Sequence, residues 1–231
     1  HPFAGRDPRM AMTIIYPGMD WNGTVVNTLD KTINGKDNAN YPPSANNASK
    51  TALTWRKYLD EQYANGIWNT NACPIVIRYA EVLLTYAEAV NELSGPSADV
   101  YDKLDLIRGR VGMPKVDREK YASKETLRRL IRRERGVELA GEGVRRADIL
   151  RWEDDNGKMV AETVLNGVLE RVVGTVNYAE TDPTKRAEID TNAPATDKKI
   201  EDRVFKVHNR YNPIPQGAID NNPNLEQNPG Y

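Results

Sequence analysis

The sequence predicts a mainly α-helical fold of successive helical hairpins beside an irregular, loop-rich lobe with little β structure. Three observations lead there. The middle of the chain repeats apolar residues at helical spacing, the first fifty residues do not, and the last eighty are broken by turn residues. The expected layout is an irregular lobe over residues 1–72, helical hairpins over 73–152, and a loop-rich extension with a wrapping tail over 153–231.

Within the first lobe, Met10 to Gly18 is the one strand-like run, closed by Pro17-Gly18. Trp21-Asn22-Gly23 forms a second turn, and Asn27 to Lys50 has the composition of a long loop. Thr54 to Tyr63 fits either a strand or a short helix. From Pro74, a helix carries Val76, Ala80, Leu83, Leu84, Ala87, Val90 and Asn91 on one face. Arg78, Glu81, Thr85, Glu88 and Glu92 are placed on the opposite stripe. Ser94-Gly95-Pro96 ends it, and a second helix follows at about Ala98 to Arg110. Ser123 is a candidate N-cap for a third helix reaching about Ala140. Gly141 and Gly143 separate that helix from a short fourth one, Val144 to Trp152. Hairpins of roughly 34 residues are how tetratricopeptide-type repeats are built, though periodicity leaves a repeat and an irregular helical domain equally open. Val160 to Val176 fits a hairpin about Asn166-Gly167, and Thr181 to Asp202 a polar surface loop.

Bulk properties exclude several functions. Lys plus Arg is 32 against 33 acidic residues, a balance unlike that of a general nucleic-acid binder. The single cysteine, Cys73, rules out an internal disulfide framework. It reads as a small residue before Pro74 rather than a thiol nucleophile with His208 as base. No apolar window has the length of a membrane span, and no signal peptide is present. The abrupt start, HPFAGRDPRM, is compatible with the later part of a longer protein. Two histidines make a zinc site improbable, and no phosphate loop or cofactor motif is present, so neither metal nor cofactor is expected.

The segment Leu127 to Trp152, LRRLIRRERGVELAGEGVRRADILRW, poses the sharpest chemical question. Glu134 and Glu138 continue the inward stripe of Leu127, Leu130 and Ile131. A carboxylate there is costly unless paired. Two carboxylates are also what glycoside hydrolysis needs, but one must have a raised pKa, and flanking arginines push the other way. A structural ion-pair network of Glu134, Glu138, Arg145, Asp148 and Arg151, tying the third and fourth helices, is the preferred reading. A glycosidase using Glu134 and Glu138 is the alternative.

The end of the chain, IPQGAIDNNPNLEQNPGY (Ile214 to Tyr231), resembles the carboxyl end of the SusD/RagB family. Further matches follow in family order: GRDPRM with TIIYPG, RKYLD, IRYAEVLLTYAEAVNELSG, IRGRVGMP, and RERGVELAGEGVRRADILRW. They correspond to the later half of a family member, with the lipoprotein signal and first half not in this sequence. The resemblance implies a SusD-like fold on tetratricopeptide-like hairpins. It implies non-catalytic capture of oligosaccharide or polysaccharide at the bacterial outer-membrane surface and its delivery to a SusC-like TonB-dependent transporter. Membrane association would come only from a lipid anchor outside these residues. Sugar binding needs aromatic faces edged by hydrogen-bonding groups, and the early lobe offers Tyr16, Asp20, Trp21, Asn22, Tyr41 and Trp55, with Trp68 as a second candidate. A helical scaffold whose ligand is a protein is the remaining alternative.

Overall fold

The computed structural model describes residues 1–42, 48–59, 61 and 73–231. These form two compact units: residues 1–145 with 171–198, and residues 146–170 with 199–231.

The first unit opens with helix α1, Arg9–Thr13, followed by the two-residue strand β1, Ile14–Ile15. The expected strand from Met10 is therefore a helical turn. Asp7-Pro8 decides this: Pro8 sits at φ −54°, and the Asp7 side chain accepts the Arg9 N–H at 3.0 Å, an Asx turn that starts the helix against local β propensity. Strands β2, Asp20–Trp21, and β3, Thr24–Val25, make a hairpin. Its turn, Asn22-Gly23, has both residues at positive φ, 49° and 73°, the geometry of a type I′ turn. Asn34-Gly35 does the same (51° and 75°) between β4, Thr32–Ile33, and β5, Lys36–Asp37. The expected long loop thus contains a hairpin. Strand β6, Thr54–Trp55, pairs antiparallel with β1, which settles the Thr54 segment as extended at its start. The rest of that segment lies partly outside the described residues.

The helical part is α2, Tyr79–Ser94, α3, Ala98–Arg110, and α4, Lys124–Glu138. Ser97 and Ser123 cap the last two, and Ser123 and Thr126 exchange side-chain and backbone bonds as a capping box. Leu84, Leu104, Leu127 and Ile131 are fully buried in one cluster with Ala87, Val100 and Ile107. Helix α2 starts five residues later than its apolar pattern suggests. Arg78 is extended (φ −136°, ψ 161°), held there by its bonds to Glu138 and Glu142, and Val76 and Ile77 upstream are exposed rather than inward. Glu88, expected on a wet stripe, is buried, because the polar side of α2 faces α4. There Arg135 approaches Glu81 at 3.5 Å and Arg128 grips Glu92 with Nε and Nη2 at 2.5 and 2.6 Å.

Beyond α5, Arg145–Arg151, and α6, Val160–Val164, the expected local hairpin about Asn166-Gly167 does not form. Strands β7, Gly167–Glu170, and β8, Gly174–Val176, each find a distant partner instead. For β8 it is β9, Ala187–Ile189, so the expected polar loop is partly a strand. Gly174 permits this pairing: a Cβ there would lie 2.1 Å from the Glu188 carbonyl oxygen. Residues 171–198 thereby return to the first unit, joining Val176 and Ala187 to a core of Phe3, Ile15, Tyr16 and Leu29. That stretch ends in α7, Ala195–Lys198.

The second unit packs Ile149, Ala161 and Phe205, and pairs β7 with β10, Lys199–Arg203. Its terminal segment carries a 3-10 turn, Val207–Arg210, and α8, Gln216–Asn221. The segment after Arg210 is ordered by its own polar bonds: Gln227 brackets the backbone of Ile214, Asn228 Nδ2 donates to the Asn212 carbonyl, and Tyr231 Oη to that of Tyr211. Asparagine and glutamine replace the missing apolar core there.

Candidate functional site

Two features of the first unit hold the candidate residues: the hairpin around Trp21 and the buried charges around Glu138.

Trp21 sits next to the tip of the β2–β3 hairpin, partly exposed, with the Arg56 guanidinium 5.2 Å from its ring centroid. Arg56 is itself fixed, donating to the Ala11 carbonyl at 2.7 Å and pairing with Glu61. Asp20 and Asn22 are exposed at the edge of the ring's hairpin. Asp20 accepts from Arg186 Nη1 at 2.7 Å, and the same nitrogen donates to the Gly18 carbonyl at 3.1 Å. This close approach needs Gly18, at φ +90°, since a Cβ would lie 2.7 Å from that of Arg186. Two buried asparagines brace the lobe below. Asn27 Oδ1 accepts the N–H groups of Leu29 and Asp30, and Asn38 Nδ2 donates to the carbonyls of Asn27 and Asp30.

The other expected sugar-contacting residues are distributed differently. Tyr16 is 3% exposed and stacks on Phe3 at 4.6 Å, so it belongs to the core and burial pushes its phenol up from the ordinary value. Tyr16 follows the two-residue strand β1, so no periodicity announces its inward face. Tyr41 is partly exposed under the Arg171 guanidinium, 5.4 Å from its centroid. Trp55 is half exposed but turns the other way from Arg56, its ring 3.4 Å from where a Gly141 Cβ would stand. Trp68 lies outside the described residues. The structure therefore brings Asp20, Trp21 and Asn22 together, adds Arg56 and Arg186, and leaves Tyr16 beneath and Trp55 on another face.

Glu134 and Glu138 are buried on α4 as their spacing suggests, 3% and 1% exposed at the side chain. Arginines from outside the expected set reach them. Arg9 from α1 reaches Glu134 at 2.7 Å and Glu138 at 2.9 Å, the first as an ion pair outside hydrogen-bond alignment. Arg108 pairs with Glu134 at 2.9 Å. Arg78 and Arg110 reach Glu138 Oε1 at 2.6 and 2.9 Å. Arg78 then continues to Glu142 at 2.7 Å, which Lys57 shares at 2.5 Å. Asp148, expected in this lattice, is buried on α5 and held by Arg151 at 2.9 Å, and Arg145 reaches over Gly136. Sequence reasoning missed Arg9, Lys57, Arg78, Arg108 and Arg110 as partners. The surplus of buried carboxylate over nearby inward arginine was the available signal. An open cleft of about 760 Å³ runs beside the lattice, lined by Phe3, Arg6, Arg9, Arg133 and Glu134 among others.

The electrostatics follow from this geometry. Burial pushes the Glu138 carboxyl up, but bonds from Arg78 and Arg9 and the charge of Arg110 outweigh it and hold it below the ordinary 4.5. Glu142 behaves alike, burial opposed by Arg78 and Lys57. A carboxyl depressed on folding contributes stability that is fully present above its unfolded pKa and is lost as pH falls through the folded one. Tm is expected to be flat near neutrality and to fall steeply below about pH 4.5. Glu142→Gln should flatten that acid limb in a pH series of thermal melts, and an unaltered limb would refute the assignment.

Among the described residues, no group of three His, Cys, Asp or Glu side chains is placed to hold a metal, and no helix is long and apolar enough to cross a membrane.

Helical hairpins, a loop-rich lobe bearing a braced aromatic hairpin, and a buried arginine–glutamate lattice define a mainly helical protein with a short-stranded lobe. The chain belongs to the SusD family, whose pattern it matches over residues 1–231. It is 34% identical over 146 residues to a SusD-like protein of Formosa agariphila, covering 58% of this chain and 27% of that protein. The fold matches a SusD-like carbohydrate binding protein of Bacteroides fragilis at TM-score 0.70 and 31% identity, over 98% of this chain and 42% of that one. A second SusD-like protein of that species matches at TM-score 0.70 and 25% identity, over 99% and 39%. The chain thus spans about a quarter of the Formosa protein and about two fifths of the two Bacteroides chains.

Proposed function

We propose that this chain is part of a surface protein that captures oligosaccharide or polysaccharide without turning it over and delivers it to a SusC-like TonB-dependent transporter at the outer membrane. Family membership supports this, as does the 31% identity to a protein described as carbohydrate binding. The observation that carries it is Trp21: a partly exposed indole on a rigid turn, edged by Asp20 and Asn22. Its neighbours Arg56 and Arg186 are held by protein groups, so the ring's position is set before any ligand arrives. Such preorganisation lowers the entropic cost of binding.

The non-catalytic reading rests on Glu138. A general acid needs a raised pKa, and its arginine partners move this one down. Such a carboxylate suits an ion pair.

The test is a titration of the full-length protein against a panel of plant and host polysaccharides. Binding without release of reducing sugar is expected. Trp21→Ala should weaken binding roughly two- to tenfold, from about 0.5–1.5 kcal/mol of lost ring contact. Unchanged affinity in a normally melting Trp21→Ala protein would place the site elsewhere, and reducing-sugar release abolished by Glu134→Gln would replace capture with hydrolysis.

A further inference from the structure

The cleft of about 760 Å³ beside the arginine–glutamate lattice lies within the first unit and carries more positive charge than the lattice neutralises. Four arginines line it, Arg6, Arg9, Arg108 and Arg133, against two carboxylates, Asp7 and Glu134. Arg9 and Arg108 are engaged by those carboxylates. Arg9 pairs with Asp7 at 2.6 Å and Glu134 at 2.7 Å, while Arg108 pairs with Glu134 and donates through Nε to the Pro114 carbonyl at 2.8 Å. Arg6 and Arg133 are exposed and meet no carboxylate among the described residues. Both are nonetheless tethered. Arg6 Nε donates to the Pro2 carbonyl at 2.6 Å, and Arg133 Nη2 to the Tyr121 hydroxyl at 3.3 Å. Each guanidinium keeps further N–H groups for a ligand. Much of the remaining lining is apolar, with Met10, Met113 and Val137 partly exposed.

Two guanidinium forks without an acidic partner, in a cleft with an apolar lining, select for a ligand that has both an anionic group and an apolar face. A small inorganic anion would satisfy the arginines and leave the apolar lining wet. A neutral sugar would cover the apolar lining and leave the charges unmatched. A uronate residue supplies both, a carboxylate for Arg6 and Arg133 and the C–H face of a pyranose ring for Met10 and Val137. The cleft's volume falls within the range of small-molecule sites, about 300–1,000 Å³. We propose that this cleft is a second saccharide site, separate from the hairpin around Trp21, and that it binds the uronate units of an acidic glycan. The site presupposes glycan capture as the function and adds that the captured glycan is acidic. Trp21 does not line the cleft, so the two sites can be disabled one at a time.

The test is a calorimetric titration of the full-length protein with trigalacturonate and trimannuronate, with their neutral counterparts galactotriose and mannotriose, and with inorganic sulfate. The better of the two acids is expected to bind at least about fivefold more tightly than its neutral counterpart at low salt, and the preference should shrink as salt rises. Arg6→Gln and Arg133→Gln should each weaken binding of that acid roughly two- to fivefold, and the pair roughly tenfold. Trp21→Ala should leave the preference unchanged. A Tm equal to the parent's for each arginine variant excludes misfolding as the cause of the loss. Equal affinity for acid and neutral trisaccharides overturns the proposal, as do arginine variants that bind the acid like the parent. Sulfate binding as tightly as the acid reduces the cleft to a small-anion site and overturns it too. A preference abolished by Trp21→Ala but kept in the arginine variants moves acid recognition to the aromatic hairpin. A protein that takes neutral polysaccharides but neither acid keeps its proposed function and loses this site; one that takes no glycan of any kind loses both.

Discussion

Glu138→Ala is expected to destabilise this protein on the order of 3–5 kcal/mol, the cost of removing one partner from a buried charge cluster. The carboxylate is 1% exposed and receives three guanidinium groups, from Arg9, Arg78 and Arg110. Deleting it leaves Arg9, itself 5% exposed at the side chain, short of an anion in a place water scarcely reaches. The loss should appear as a fall of roughly 6 °C or more in Tm. Glu138→Gln, which keeps the shape but not the charge, should recover part of it. A Glu138→Ala protein melting with its parent would show the lattice to be ornamental.

Arg9→Met is the second large effect, about 3–5 kcal/mol for the same reason. Arg9 spans both inward glutamates of α4 and also bonds Asp7 through Nε at 2.9 Å and Nη2 at 2.6 Å. Its loss therefore loosens α1 as well as exposing two carboxylates to imperfect neutralisation. Because Arg9 and Glu138 share one network, the double variant should lose less than the sum of the singles. The expected coupling is about 0.5–3 kcal/mol in a double-mutant cycle. Strictly additive losses would mean that the two residues act apart. Met is chosen over Ala to preserve the apolar stem of the side chain.

How much of this was legible in the sequence depends on distance along the chain. Helices α2, α3 and α4 were readable because Leu83, Leu104 and Leu127 recur with their neighbours at helical spacing, a local signal. The inward placement of Glu134 and Glu138 was readable for the same reason. Their partners were not, since Arg9 and Glu138 lie 129 residues apart and nothing local announces the meeting. Strand β1 ends at Ile15, so no alternation announces which way Tyr16, just beyond it, points, and it is buried in the core. The turn beside Trp21 was legible because Asn-Gly accepts positive φ in sequence. The guanidinium over its ring was not, because Arg56 arrives through the pairing of β6 with β1.

The return of residues 171–198 to the first unit also sets an order of events in synthesis. Asp20 finds Arg186 across 166 positions, and the Asp30 carboxylate waits for the Val176 amide 146 positions later. The Trp21 lobe thus closes only after the helices that follow it have been made, and loop-closure entropy slows such distant pairings. While the ribosome is still extending α4, the hairpin around Trp21 is a nascent arm without its clasp.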